Sequence, residues 1–178
     1  MNLVITIRKT IKEDARILIK IQKEAFKPIY ERYHDEGNPF LREENDILDR
    51  LMRPDSEYYT IFDDEHIVGG ILYKHSCSTP FCENLGSGEY YLCRVYIKPS
   101  AQGKKIARTA IKLCEEKFDN AVRYYVDFPE ELEKNRRCYE SAGYSDTGER
   151  LQITEQLTLA YFTKTAIKKN VAANATTI

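Results

Sequence analysis

Apolar residues recur along this chain in two ways, by strand-like alternation and at helical spacing. The alternating segments predict strands at residues 3–9, 58–62, 67–74, 90–98, 122–127, 145–154 and 156–164. The helical spacing predicts helices at about residues 10–28, 43–52, 104–118 and 129–142. Glycine, proline and polar residues between these segments predict loops, the longest at residues 27–42 and 77–88.

Individual residues indicate where the helices begin and end. Thr10 and Glu13 have the T-x-x-E spacing of a capping box, which predicts the start of the first helix. That helix is expected to end near Pro28, because proline disrupts a helix interior. Pro129 stands at a favoured first-turn position for the last helix, and Gly143 is expected to terminate it.

The predicted order is β-α-α-β-β-β-α-β-α-β-β, which indicates an α+β fold (α/β on a looser definition). Hairpins at the front and back flank one βαβ unit, whose two strands must be parallel neighbours. We therefore expect a single, mixed and mostly antiparallel sheet of about seven strands, flanked by helices. The chain of 178 residues suits one domain, expected at residues 1–164, with residues 165–178 as a mobile tail.

Composition narrows the partners and the compartment. The net charge is −1 and no basic tract occurs, so the sequence predicts no nucleic-acid partner and no anionic membrane partner. The N-terminal apolar run is too short for a signal peptide, and no run reaches membrane-spanning length. Five scattered cysteines without a C-x-x-C motif favour a reduced, cytoplasmic protein. The three histidines lack metal-ligand spacing, so no metal is expected.

Residues 90–118 contain the clearest chemical signal of the chain. A predicted strand ends at Pro99, a short loop with Gly103 follows, and a helix then begins. The first N–H groups of a helix have no partner within it, and the helix dipole places partial positive charge there. Lys104, Lys105 and Arg108 add three formal charges at the same place. This arrangement predicts a binding site for a phosphate-bearing ligand.

Two motifs in this order resemble the GNAT superfamily of N-acetyltransferases. Residues 102–107, Gln-Gly-Lys-Lys-Ile-Ala, are similar to the family's Q/R-x-x-G-x-G/A loop. Residues 137–144, Arg-Cys-Tyr-Glu-Ser-Ala-Gly-Tyr, are similar to its late helix-glycine-aromatic segment. The resemblance covers residues 3–164. It implies the GNAT acyl-CoA N-acyltransferase fold, with acetyl-CoA as the donor of an acetyl group to a primary amine.

The resemblance also implies where acetyl-CoA binds. Family members hold the pyrophosphate with loop N–H groups, which here belong to the segment Gln102, Gly103, Lys104, Lys105, Ile106, Ala107 and Arg108. They pair the pantetheine arm with the end of the central strand, here Val95, Tyr96 and Ile97. Two positions depart from the family pattern. Lys105 replaces a glycine of the loop. Leu132 stands where many members carry an asparagine that hydrogen-bonds the CoA arm, and Asn135, one turn later, is the candidate for a related role.

Tyr139 matches the tyrosine with which many family members protonate the departing thiolate. A phenol with a pKa near ~10 keeps its proton until a thiolate with a pKa near ~8.5 needs it. A core aromatic is the other interpretation of this residue. An amine with a pKa near ~10.4 is neutral only about one part in two thousand at neutral pH, so a base is also needed. Asp127 and Glu89, at the ends of predicted strands, are the two candidates.

The acceptor is expected to be a small-molecule or peptide amine, bound by the irregular segments 28–42 and 77–88. Family members are often dimers, which leaves a homodimer open. Two other functions compete with this interpretation. A non-catalytic acyl-CoA-binding or regulatory domain is compatible with the departures at Lys105 and Leu132. A mononucleotide-binding domain follows from the strand-loop-helix pattern alone, although the chain lacks a second glycine-rich loop.

Overall fold

The computed structural model describes residues 4–168, which form one seven-stranded sheet covered by helices. The strands are β1 (Ile5–Lys9), β2 (Ser56–Asp63), β3 (His66–Lys74), β4 (Glu89–Ile97), β5 (Arg123–Pro129), β6 (Ser145–Gln152) and β7 (Thr158–Thr165). The helices are α1 (Ala15–Tyr33), α2 (Glu44–Leu51), α3 (Ile106–Glu115) and α4 (Glu133–Ser141). Short 3₁₀ turns precede α1, α2 and α3.

The strands lie in the order β1-β2-β3-β4-β5-β7-β6. All neighbouring pairs are antiparallel except β4 and β5, which are joined through α3 and run parallel. This confirms the expected order of elements and the mixed, mostly antiparallel sheet. Helices α3 and α4 cover one face, and α1 with α2 covers the other.

The alternation of each strand divides its side chains between two cores. On the α3 side, Ile106, Ala110 and Cys114 of the predicted helical stripe pack on Tyr124, Val126 and Phe128 of β5. On the α1 side, Leu18 and Ile47 pack against Leu72 and Tyr96. Tyr96 explains the glycine pair in β3. A side chain at Gly70 would meet its ring, and one at Gly69 would meet its carbonyl oxygen.

The two central strands separate halfway along their length. Their register joins Glu89 to Arg123 and ends with the pair Leu92 and Val126. An irregularity in the pairing of β3 with β4 leaves Cys93 as an extra residue at the same level, which is the geometry of a β-bulge. Beyond it, residues 94–97 of β4 pair only with β3, and residues 127–129 of β5 pair only with β7. We call the wedge between these two segments the split.

The predicted start of the first helix is wrong in its capping residues. The Thr10 hydroxyl contacts the Thr60 hydroxyl at 2.9 Å, so it does not cap the helix. Asp14 supplies the carboxylate instead, and its Oδ2 accepts the Ile11 N–H at 3.1 Å. Asp14 is also held by Arg8 and Thr60, which fixes the chain where β1 turns into the helix.

The predicted end of the first helix, near Pro28, is also wrong. Helix α1 continues through Pro28 to Tyr33 and ends at His34 in a left-handed conformation. Contacts beyond the proline stabilise this extension, because Tyr30 stacks on Phe40 with ring centroids 5.0 Å apart and Tyr33 is buried. The predicted loop 27–42 is therefore shorter and begins after Tyr33.

Pro129 does not begin the last helix. It is the final residue of β5 and pairs with Leu159, whereas α4 begins at Glu133 after Leu132. The next N–H, of Glu130, donates to Thr158 O in β7 at 2.9 Å. Because N–H directions alternate along a strand, the nitrogen of Pro129 faces the split, where β4 offers no partner. A proline is tolerated at such an unpaired edge.

A buried carboxylate joins three elements on the α3 side. Glu115 is 8% exposed, and its Oε1 accepts the hydroxyls of Tyr144 at 2.6 Å and Tyr73 at 3.2 Å. Its Oε2 accepts the Lys164 ammonium at 2.5 Å. Every oxygen of the carboxylate is thus engaged, as buried charge requires.

At the C-terminal end, Thr165 closes β7 and the Ala166 N–H donates to Val122 O at 2.9 Å. The rest of the expected tail, from residue 169 on, lies outside the described residues. Among residues 4–168, no helix is both long and apolar enough to cross a membrane.

Candidate active site

The loop before α3 presents a row of unused N–H groups. Within residues 4–168, the N–H groups from Gly103 to Arg108 donate to no protein acceptor, and the first helical bond runs from Thr109 N–H to Lys105 O at 3.1 Å. Gly103 has φ +80° and would have free space around a side chain, so its conformation alone favours glycine. The row of N–H donors lies at the end of the split and suits the phosphate-bearing ligand that the sequence predicts there.

Lys105 takes the left-handed conformation that a glycine would adopt, with φ 62° and ψ 16°. Its side chain is exposed. A left-handed conformation costs a non-glycine residue roughly 1–2 kcal/mol. The departure from the family pattern therefore places a residue with a conformational cost in the loop.

Gln102 joins the loop to the central strand and to α4. Its side-chain amide donates to Ile97 O at 2.9 Å, and its Oε1 accepts the Lys134 ammonium at 2.7 Å. These two bonds link the end of β4 to α4. Gln102 thus connects protein elements in the structure. The sequence predicted only a role in cofactor binding for it.

The edge of β4 along the split carries free backbone donors. The Lys98 N–H donates to Val68 O in β3 at 2.7 Å. Because directions alternate, the N–H groups of Val95 and Ile97 point the other way, into the split. The side chain of Tyr96 is turned to the α1 side, where its hydroxyl contacts that of Tyr58 at 2.7 Å. A ligand in the split can therefore contact the backbone of Val95, Tyr96 and Ile97. It can also contact the side chains of Val95 and Ile97, but not that of Tyr96.

Tyr139 lies on α4, on the α3 side of the sheet. It is 7% exposed, and its ring packs on Phe128 with centroids 5.1 Å apart. Its hydroxyl hydrogen-bonds no group among residues 4–168. Burial raises the pKa of Tyr139, and the charge of Asp127 raises it further, so the phenol stays protonated. Its neighbour Asn135, one turn earlier on α4, has a half-buried side chain.

Asp127 approaches the split from the opposite face. Its side chain accepts the Tyr91 hydroxyl at 2.5 Å, from the neighbouring strand β4. Burial raises the pKa of Asp127 from 3.8 to about 6, and the Tyr91 hydrogen bond lowers it in part. At neutral pH the group is therefore mainly a carboxylate, with a proton affinity suited to a general base. Tyr91 was predicted only as a strand residue.

Glu89, the other candidate base, lies at the closed end of the parallel pair. It opposes Arg123, four residues before Asp127 on β5, which is about 13 Å along the strand. Its carboxylate accepts the Gly86 N–H at 2.8 Å and the Tyr125 hydroxyl at 3.0 Å. The structure brings Asp127 and Tyr139 together at the split and leaves Glu89 at its base.

Aromatic rings line the same face as Asp127. Phe81, in the loop after β3, stacks on Tyr161 with centroids 4.2 Å apart and rings 3° from parallel. Tyr161 stacks in turn on Tyr125 at 5.3 Å. The predicted acceptor segment 77–88 is thus fixed onto β7 and β5 beside the split. No sequence spacing links these three rings, because they come from separate elements.

A cleft of about 370 Å³ opens where β5 ends. It lies between the end of α1, the residues after β5 and the turn before β7. Acidic residues outnumber basic ones in its lining, which consists of Arg32, Tyr33, Glu130, Glu131, Glu155, Gln156 and Thr158. We call it the acidic cleft. Part of the predicted acceptor segment 28–42, through Tyr33, belongs to it.

The sequence and the fold can now be compared with known proteins. The family model described as "Acetyltransferase (GNAT) family" matches residues 18–144, which is most of the chain. The chain belongs to the GNAT acetyltransferase family. None of the curated proteins compared with the chain matches it in sequence.

Solved structures share the fold at low sequence identity. The PaiA N-acetyltransferase of Thermoplasma acidophilum, solved with coenzyme A, is 20% identical at a TM-score of 0.71, over 92% of this chain and 99% of its own. AAC(6')-Ib, solved with ribostamycin and coenzyme A, is 15% identical at a TM-score of 0.72, over 95% and 98%. Spermidine N-acetyltransferase of Vibrio cholerae, solved with coenzyme A and spermine, is 15% identical at 0.69, over 91% and 95%.

The cysteines and the arrangement of possible metal ligands do not indicate a further reactive site within residues 4–168. The cysteines Cys77, Cys82, Cys93, Cys114 and Cys138 are unpaired, and burial raises the pKa of Cys114 and Cys138. No group of three His, Cys, Asp or Glu side chains within residues 4–168 has the arrangement of a metal site.

Proposed function

We propose that the protein transfers the acetyl group of acetyl-CoA to a primary amine by direct attack in a ternary complex. The observation that carries the proposal is the split, which has free donors on its β4 edge, Tyr139 on one face and Asp127 on the other. Pyrophosphate would bind the N–H row from Gly103 to Arg108. The pantetheine arm would extend along Val95 to Ile97 as an added strand, and Asn135 would contact it from α4.

The reaction forms one N–C bond and breaks one C–S bond. Attack by the amine turns its nitrogen into an acidic cation, and the Asp127 carboxylate takes the proton. The Val95 N–H stabilises the oxyanion on the former carbonyl oxygen. Tyr139 then protonates the departing sulfur, and after product release its phenolate takes a proton from water while Asp127 returns its proton to water. Burial that raises the pKa of this phenol would also raise the pKa of a thiol leaving beside it, so the two groups stay matched.

Tyr91 positions the base in this scheme. Its hydrogen bond to Asp127 directs the carboxylate and keeps the pKa of that group from rising further. Much of the rate would come from holding amine and thioester together. Several solved structures with the same fold contain coenzyme A, and one of them also contains spermine, a polyamine. These structures support the choice of cofactor and of an amine as the acceptor class.

The test is the release of CoA thiol from acetyl-CoA over a panel of primary amines, with calorimetric titration of CoA in parallel. We expect CoA to bind and at least one amine to release thiol. CoA binding without thiol release from any amine would instead favour a non-catalytic CoA-binding domain. Tighter binding of ATP than of CoA would favour a mononucleotide-binding domain.

A further inference from the structure

Arg94 is a buried cation on β4, directly after the extra residue Cys93 and directly before Val95, whose N–H faces the split. Its side chain lies on the α1 side of the sheet and is 6% exposed. One terminal nitrogen, Nη1, donates to Asp46 Oδ2 on α2 at 2.9 Å and to Gln22 Oε1 on α1 at 3.0 Å. A single side chain thus joins the β4 edge of the split to both helices on that face.

Stability alone does not account for a charge at the position of Arg94. Its Nε is buried and has no hydrogen-bond partner within residues 4–168. Its ion-pair partner Asp46 has a side chain that is still 20% exposed. Apolar replacements of buried ion pairs are often neutral or stabilising, because removing two charges from water is costly. This points to a role in fixing an arrangement, here the position of α1 and α2 against β4.

The contacts of Arg94 continue into the predicted acceptor segment 28–42. Gln22 is fully buried, and its side-chain amide donates to Pro39 O at 2.9 Å. Pro39 begins the 3₁₀ turn that precedes α2. Helix α2 follows this turn and is held by Arg94 through Asp46. Arg94 therefore fixes the chain on both sides of the turn, through Gln22 before α2 and through Asp46 within it.

We propose that Arg94 is a positioning residue, which holds the acceptor segment at a fixed distance from the strand edge that binds the thioester. The arm of acetyl-CoA would lie along the β4 backbone from Val95 on, one residue after Arg94. The amine would be bound by the segment that contains Pro39. This inference rests on the proposed function, since it needs both substrates at the split. A shift of the segment would misplace the amine and leave the cofactor site intact.

The kinetic test compares thiol release by the unaltered protein with that by Arg94→Met, which keeps an unbranched side chain and removes its charge and donors. We expect the KM for the amine to rise about tenfold, while calorimetry shows CoA affinity within about twofold of the unaltered value. Arg94→Lys retains the charge and should recover part of the loss. A double variant with Gln22→Met should lose less than the product of the two single losses, because both substitutions break the same connection.

Tyr144→Phe is the control for lost stability, because it removes a hydroxyl bonded at 2.6 Å to Glu115 on the opposite face of the sheet. It should lower the melting temperature without changing the KM for the amine. An equal rise of that KM in Tyr144→Phe, or an unchanged KM in Arg94→Met, would overturn the inference. If Arg94→Met does not fold, Gln22→Met decides by the same KM, since it leaves Arg94 paired with Asp46.

Hydrogen exchange of the protein without substrates separates this inference from the proposed function. The N–H groups of Phe40 and Leu41 both donate to Asn38 within the turn. Arg94→Met should speed their exchange at least about tenfold and leave α3 unchanged. If no amine releases thiol, the proposed function fails, and exchange in the turn still decides whether Arg94 holds the segment. Unchanged exchange there would refute this role.

Discussion

The buried carboxylate of Glu115 and the half-buried carboxylate of Asp127 lie on opposite faces of the sheet and differ in how many hydrogen-bond donors they have. Glu115 accepts two tyrosine hydroxyls and the Lys164 ammonium. Asp127 accepts one tyrosine hydroxyl, and burial raises its pKa to about 6. A carboxylate surrounded by donors holds elements together, because all its interactions are already made. A carboxylate with unused acceptor positions is less stable in its ionised form, and it can still accept a proton or bind a substrate.

The largest effect is expected at Glu115. The change Glu115→Gln leaves the Lys164 ammonium, with a side chain 18% exposed, without its ion-pair partner. We expect the free energy of unfolding to fall by about 3 kcal/mol, the cost of an unpaired buried charge. Urea unfolding at neutral pH measures this change, with Glu65→Gln as the exposed control. A loss below about 1 kcal/mol would contradict the structural role of Glu115.

Asp127→Asn should act in the opposite direction on stability. The raised pKa of Asp127 means that the folded protein binds this proton more tightly than the unfolded chain does. Asp127 therefore lowers the free energy of unfolding most above pH ~6, where its ionised form reduces that free energy by up to about 3 kcal/mol. We expect Asp127→Asn to unfold at higher denaturant concentration than the unaltered protein at pH ~8 and to differ little at pH ~4.

The same substitution should lower turnover by about 10²- to 10³-fold, the usual contribution of a general base. In the unaltered protein, kcat should rise with pH through about 6, the pKa of Asp127, and the variant should lose this step. Glu89→Gln is the matched control on β4. A larger loss of kcat in Glu89→Gln than in Asp127→Asn would move the base to the closed end of the strands.

Tyr139→Phe keeps the ring that packs on Phe128 and removes only the hydroxyl. We expect kcat to fall about 10²-fold and CoA affinity to stay nearly unchanged, since the hydroxyl acts on the leaving sulfur. Thiol-release kinetics and calorimetry measure the two quantities. Tyr144→Phe, which also loses a hydroxyl on this side, should instead lower stability, because that hydroxyl binds Glu115. Unaltered turnover in Tyr139→Phe would remove this residue from the mechanism.

The smallest effect is expected at Lys105. Lys105→Gly relieves a left-handed conformation, and we expect the free energy of unfolding to rise by up to about 1 kcal/mol. Lys104→Gly, at an exposed neighbour, serves as the control for losing a lysine from the loop. A fall in CoA affinity in Lys105→Gly alone would show that the Lys105 side chain binds phosphate.

Local patterns predicted the fold well, because strand alternation and helical stripes reflect burial on one face. The errors fall where a distant contact overrides a local preference. Pro28 is followed by further helix since Tyr33 is buried, and Pro129 ends a strand since β4 has separated from β5. The sequence offered Tyr139 as a candidate by family resemblance and Asp127 by its position at a strand end, and their catalytic roles stay predictions. The acidic cleft could not be predicted from the sequence, because Tyr33, Glu131 and Glu155 come together only in three dimensions.

The nitrogen of Pro129 at the mouth of the split has a consequence for the whole sheet. Two facing strand edges with free donors and acceptors tend to join, and a few residues of slippage would close the wedge. Pro129 removes one donor from the β5 edge, and the extra residue at Cys93 shifts the β4 edge out of step with it. The chain thereby keeps an opening within its own sheet, as other proteins protect their outer edges, and under the proposed function this opening receives a pantetheine arm that pairs like a strand.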